Sequence, residues 1–187
     1  MARRVGIDVE DVRRAAAELA DRHGLDALTL SAVARRLGIR PPSLYAHVEG
    51  VDGLRRLVAS DGARRLADVL TDVAEDRSGR EALAAFMHAY RAFAHRHPGL
   101  YEASQRDAPA PAEDPELAEA LVAPVLVVAG ALSDVGVPAD RHVPVIRGLR
   151  SALHGWVDLE RLGGFGLPED VDDSFDTLVA MLLAGIA

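Results

Sequence analysis

Eight residues between positions 29 and 47 carry side chains suited to gripping a polyanion and reading its edges: Thr29, Ser31, Arg40, Pro41, Pro42, Ser43, Tyr45 and His47. An arginine offers a two-pronged donor that matches guanine, and hydroxyls and an imidazole donate to phosphate oxygens. Small residues allow close approach. Nothing comparable groups elsewhere. The 187 residues include no cysteine, which excludes thiolate metal sites, iron–sulfur clusters and thiol nucleophiles. His88, His95 and His97 lack the paired helical spacing with a nearby acid that makes a metal site credible. Gly163-Gly164-Phe165-Gly166 follows a helical stretch and lacks the Lys and Ser or Thr of a phosphate loop, so it reads as a helix stop. No nucleophile lies beside a base. The expectation is therefore a protein that is not an enzyme and uses neither cofactor nor metal.

The elements that position the eight residues follow from periodicity. A helical period recurs along the chain and no segment alternates long enough for a strand, so the fold class is all-α. Asp8 caps a first helix that stops at His23-Gly24. Thr29 caps a short second helix whose Leu30, Val33, Ala34 and Leu37 face inward, and Gly38 ends it. A third short helix starts at Pro41 and carries Leu44 and Val48 inward to Glu49-Gly50. Neither short helix can bury its stripe without crossing the other and resting on the first, which is the arithmetic of a helix-turn-helix unit. In such a unit the second short helix offers its first turn to the major groove, and flanking groups meet phosphates. Thr29 and Ser31 sit at a helix N-terminus that itself attracts anions, and Arg3 and Arg4 can reach the adjoining backbone.

Beyond the unit, Asp52 caps a long helix, in which Gly62 marks close packing in preference to a flex point. A further helix with Leu83, Phe86, Met87, Tyr90 and Phe93 on one stripe ends at Pro98. A proline-punctuated loop over 107–115 leads to Asp114-Pro115-Glu116. That tripeptide opens a helix kinked at Pro124 and running to Gly136. Helices then occupy roughly 139–162 and a final stretch capped by Asp172 or Asp173.

Charge divides the chain in the same place. Residues 1–66 carry 12 Arg against 9 acidic residues, whereas 67–187 carry 9 against 20, within a total of −8. A mildly basic head and a strongly acidic body suggest that only the head meets a polyanion. The most apolar stretch, 120–132, is too short to span a bilayer and holds Pro124 and Gly130. With no apolar segment behind Arg3-Arg4, the chain is expected to be soluble and cytoplasmic, without a membrane partner.

The string from Leu28-Thr29-Leu30-Ser31 through Val33-Ala34-Arg35-Arg36-Leu37-Gly38-Ile39-Arg40 to Leu44-Tyr45-Ala46-His47-Val48 resembles the DNA-binding signature of the TetR family of bacterial regulators. The resemblance covers residues 8 to about 66. It implies a helix-turn-helix DNA-binding domain at 1–50, a connecting helix at 51–74, and a helical ligand-binding and dimerisation domain at 75–187. It also implies double-stranded operator DNA, a small-molecule effector and a second copy of the chain as partners, with repression relieved by the effector. Phe86, Tyr90, Phe93, Tyr101 and Trp156 become candidates to line the effector site; ordinary core packing explains their spacing equally well. Leu153-His154-Gly155-Trp156 through Gly163-Gly164-Phe165-Gly166 to Ser174-Phe175 is similar to the WHG type of C-terminal domain in that family. Two residues depart from the pattern. Val51 stands where members commonly carry a phosphate-gripping Lys, which Arg55 or Arg56 can replace. Arg40 stands where a Ser or Thr usually caps the recognition helix, and points to a G-containing half-site. Val51 also leaves open an alternative, a helical small-molecule binding protein that has lost operator binding.

Overall fold

The computed structural model describes residues 7–106 and 113–186. Among these the regular elements are helical: α1 (Val9–His23), α2 (Leu30–Leu37), α3 (Gly50–Ala74), α4 (Gly79–Arg96), α5 (Pro98–Gln105), α6 (Pro115–Asp134), α7 (Ala139–Arg161) and α8 (Val171–Ala184), with 3₁₀ segments at Leu25–Ala27 and Pro41–Ala46. They gather into two compact units, one of residues up to Arg65 together with His97–Leu121, the other of Leu66–Arg96 with the remainder from Val122. Residues 97–121 thus group with the head, a division that differs from sequence boundaries at 50 and 74. Arg3 and Arg4, and 107–112 of the proline-punctuated loop, lie outside the described residues.

In the first unit, Asp8 accepts the amide of Asp11 at 2.8 Å while the Asp11 carboxylate accepts the Asp8 amide, so two orphan donors at the start of α1 are satisfied together. Gly24, at φ 81°, ends α1. Thr29 accepts from the amide of Ala32 at 3.1 Å and opens α2, and Gly38 closes it in the left-handed conformation. Val12, Val33, Leu44, Leu54 and Val58 are fully buried and form the apolar centre. Helix α5 lies against α1. The Asp21 carboxylate caps α5 by accepting the amides of Gly99 and Leu100, each at 3.0 Å, and its other oxygen pairs with His97 Nδ1 at 2.9 Å. Here glycine is a spatial necessity: a Cβ on Gly99 would lie 2.2 Å from the carbonyl carbon of Ala20, and one on Gly62 would lie 2.4 Å from the Leu100 oxygen. Close packing, not flexure, accounts for Gly62.

In the second unit α7 and α8 pack on α4. Arg91 joins all three. Its guanidinium donates to Glu160 through Nε at 2.9 Å and through Nη2, reaches Asp172 at 2.7 Å, and lies 4.7 Å above the ring of Phe175. The Arg91 hydrogen bonds, aided by His95 at 2.8 Å and opposed by partial burial, hold the Glu160 carboxyl down at about 2. The same ion pair raises the Arg91 pKa.

Five expectations are corrected. The segment after Arg40 is a six-residue 3₁₀ helix opened by Pro41 and Pro42, since its bonds reach back three residues, Ser43 to Arg40 and His47 to Leu44. Helix α3 begins at Gly50, which puts Asp52 in its first turn, and the capping residue of α8 is Asp170, accepting from Asp172 and Asp173. Helix α6 ends at Asp134, short of Gly136. The apolar stretch 120–132 lies inside a longer apolar helix: α6 has 20 residues, with a mean hydropathy of 1.7 over 18 of them, long and apolar enough to cross a membrane by length and composition. One such helix is weak evidence of a span, since core helices of soluble proteins reach the same length and apolarity.

Candidate nucleic-acid interface

The interface is built on an inside-outside division of the 3₁₀ segment. Leu44 is fully buried and Val48 nearly so, which anchors the segment to α2. Arg40, Pro41, Pro42, Ser43 and Tyr45 are consequently turned out, and Tyr45 is 64% exposed. That exposure disfavours a packing role for its ring. His47 is half-buried and donates its amide to Leu44. Arg40 precedes the segment with extended backbone and makes no side-chain cap, as its side chain cannot accept a hydrogen bond. Thr29 and Ser31, both exposed, frame the start of α2. The Thr29 oxygen is occupied as an acceptor in the cap, yet its proton remains available for an anion.

The arginines around this surface are largely committed to carboxylates. Arg36 donates to Glu18, which lowers the pKa of that carboxyl. Arg55 lies 3.3 Å from Asp52, while Arg56 Nη2 is 3.2 Å from Glu49 and its Nε 3.5 Å from Asp114. Both candidates for the role of the missing Lys therefore already hold an anionic partner. No signal in the sequence places Asp114 opposite Arg56, 58 positions away.

The residues proposed to line an effector site are drawn from both units. Phe86, Tyr90 and Phe93 are buried on α4, and Trp156 lies on α7, all four in the second unit. Tyr101, 1% exposed on α5, belongs to the first unit. Trp156 meets Phe165 at 4.5 Å and Phe175 at 5.5 Å between ring centroids. Its indole nitrogen is buried without a hydrogen-bond acceptor among the described residues. Each histidine once considered for metal faces a carboxylate: His88 with Asp176, His95 with Glu160 and His97 with Asp21.

Comparison with known proteins matches the two parts of the chain to two family models. Residues 12–49 match the family described as bacterial regulatory proteins, tetR family, and residues 83–182 match the tetracyclin repressor-like C-terminal domain. An uncharacterized HTH-type transcriptional regulator of Bacillus subtilis is 32% identical over 100% of this chain and 96% of its own. One of Mycobacterium tuberculosis is 34% identical over 100% of this chain and 84% of its own. Among solved structures, a Rhodococcus protein of unknown function has a TM-score of 0.81 at 22% identity, covering 97% of this chain and 96% of its own. A TetR variant of Acinetobacter baumannii in complex with minocycline has a TM-score of 0.72 at 23% identity, covering 96% of each chain. At these identities the two structures establish the fold.

Proposed function

The chain belongs to the TetR family of bacterial transcriptional regulators, which are DNA-binding helix-turn-helix proteins, and from that premise we propose that it is a cytoplasmic homodimeric repressor released from a pseudo-palindromic operator by a small molecule. The observation that carries the DNA half is the outward set Arg40, Pro41, Pro42, Ser43 and Tyr45 on a segment fixed from beneath by Leu44. Arg40 reads guanine, Pro41, Pro42 and Ser43 allow the segment to approach the base edges, and Tyr45, His47, Thr29 and Ser31 hold phosphates. Dimerisation through α7 and α8 places two such segments roughly 34 Å apart or wider, in successive major grooves.

The effector half is supported by the Trp156 N–H, a buried donor beside Phe165 and Phe175 with no acceptor among the described residues. Leaving such a donor unpaired costs about 1–3 kcal/mol, which an effector carrying a carbonyl or hydroxyl oxygen beside an apolar body recovers. Phe86, Tyr90 and Phe93 supply further apolar surface, and we carry the likeness of 153–175 to the WHG type as part of this proposal. Helix α4, which bears those three residues, continues through His97 into α5, whose first turn is pinned to Asp21 of α1. A shift of α4 on effector binding reaches the head by that route. Selection of duplexes from a random-sequence library by the full chain tests the DNA half. A two-fold related consensus with G in each half-site is expected, and a library that remains unenriched would refute it.

A further inference from the structure

The first turn of α6 holds arginines of the head by their charged groups. Asp114 divides its carboxylate: Oδ1 accepts the amide of Leu117 at 3.0 Å and caps α6, and Oδ2 lies 3.5 Å from Arg56 Nε. Glu116 lies 2.9 Å from Arg64 and 3.9 Å from Arg13. Arg56 differs from the other two in where its remaining donor goes, to Glu49, the residue two positions after His47. Glu49, the nearer partner at 3.2 Å, is 92% exposed at its side chain and screened by water, whereas Asp114, at 3.5 Å, is 24% exposed and fixed by its capping bond. Arg56 is itself 42% exposed, so its guanidinium can turn from a carboxylate to a phosphate without being unburied.

We propose that Arg56 is a further phosphate-gripping residue of the head and that Asp114 competes with the DNA backbone for it, so that the start of α6 sets the affinity of the head. This rests on the DNA-binding reading above. Binding to DNA exchanges the Arg56–Asp114 pair for an Arg56–phosphate pair, and reciprocity requires that whatever draws the α6 start toward Arg56 weakens DNA binding. Asp114 is thus a positioning residue, acting through Arg56.

Asp114→Asn tests it with little structural cost, because asparagine caps a helix as well as aspartate does. Affinity is read by anisotropy on a duplex of about 30 base pairs selected by the wild type, long enough for two half-sites, with a scrambled duplex beside it. Asp114→Asn is expected to tighten binding by up to about five-fold per subunit, the range of an exposed ion pair. The gain disappears when Arg56→Gln is also present, and Arg56→Gln alone makes the slope of log affinity against log salt shallower by about 0.9 per subunit. Glu119→Gln, an exposed carboxylate on the same helix, measures the general effect of removing one negative charge. A gain from Asp114→Asn that equals that of Glu119→Gln, or that persists with Arg56→Gln, overturns the proposal, as does an unchanged salt slope in Arg56→Gln. Failure of the wild type to prefer its selected duplex over the scrambled one removes instead the DNA-binding reading beneath it.

Discussion

Substituting Gly99 by alanine tests how tightly α5 is docked on α1. The new Cβ would stand 2.2 Å from the carbonyl carbon and 2.3 Å from the oxygen of Ala20, both backbone atoms that no side-chain rotation can clear. Reaching ordinary van der Waals separation requires α5 to withdraw by about 1 Å. At that displacement the amides of Gly99 and Leu100, now 3.0 Å from the Asp21 carboxylate, pass out of hydrogen-bond range. Bonds to a charged acceptor are worth about 1.5–3 kcal/mol each, so with both weakened at the low end the loss is about 3 kcal/mol. For a chain of this size that lowers the melting temperature by about 6–12 °C. Melting followed by far-UV circular dichroism reads it, with Gly130→Ala as contrast. Gly130 lies inside α6 with open space around its α-carbon, so alanine there gains about 0.5–1 kcal/mol. Asp21→Ala removes the same two bonds directly and is expected to add less than its full effect to Gly99→Ala. A Gly99→Ala chain that melts together with the wild type would refute this picture of the junction, as would full additivity with Asp21→Ala.

Other outcomes follow from the same geometry. Arg40→Ala is expected to relax base preference at one position of each half-site at a cost of about 1–3 kcal/mol, measured by competition among operator variants; an unaltered preference would remove the guanine assignment. Tyr45→Phe deletes only an exposed hydroxyl, so affinity should fall to a similar degree on all sequences while the melting temperature stays put, and a fall in stability would show that the hydroxyl is engaged within the fold instead. Glu160 has a folded-state pKa held at about 2 by Arg91, below its ordinary 4.5. Its contribution is therefore complete above pH 4.5 and lost as pH falls toward 2, amounting to at most about 3 kcal/mol. Urea unfolding at stepped pH should show a shallower decline over that window in Glu160→Gln than in the wild type, and parallel curves would contradict the ion pair's role.

Local signals in the sequence were sufficient wherever a few neighbouring residues decide the outcome. The caps at Asp8, Thr29 and Asp114 and the stops at Gly24 and Gly38 are all contained within four residues of chain, and each forms as its residue types dictate. The Pro41-Pro42 pair does open a helix, but it does not tell a 3₁₀ from an α segment, because amides at those two positions are unbonded in both. For α8 the sequence reading places the cap at Asp172 or Asp173, whereas the cap is Asp170, whose side chain accepts the amides of both. Pairings over long separations were not legible at all. Asp21 with Gly99, Arg56 with Asp114 and Arg91 with Glu160 depend on how helices cross, which periodicity does not encode. The orphaned Trp156 N–H is likewise a property of its surroundings.

The most direct test of the central claim is anisotropy of the purified chain on DNA from directly upstream of its own gene, at two salt concentrations, beside the Arg40→Ala, Tyr45→Ala double variant. Specific binding that weakens steeply with salt and is lost in the double variant is the expected result. Binding no tighter than to unrelated sequence, together with an unenriched random library, would contradict it and favour a helical small-molecule binding protein.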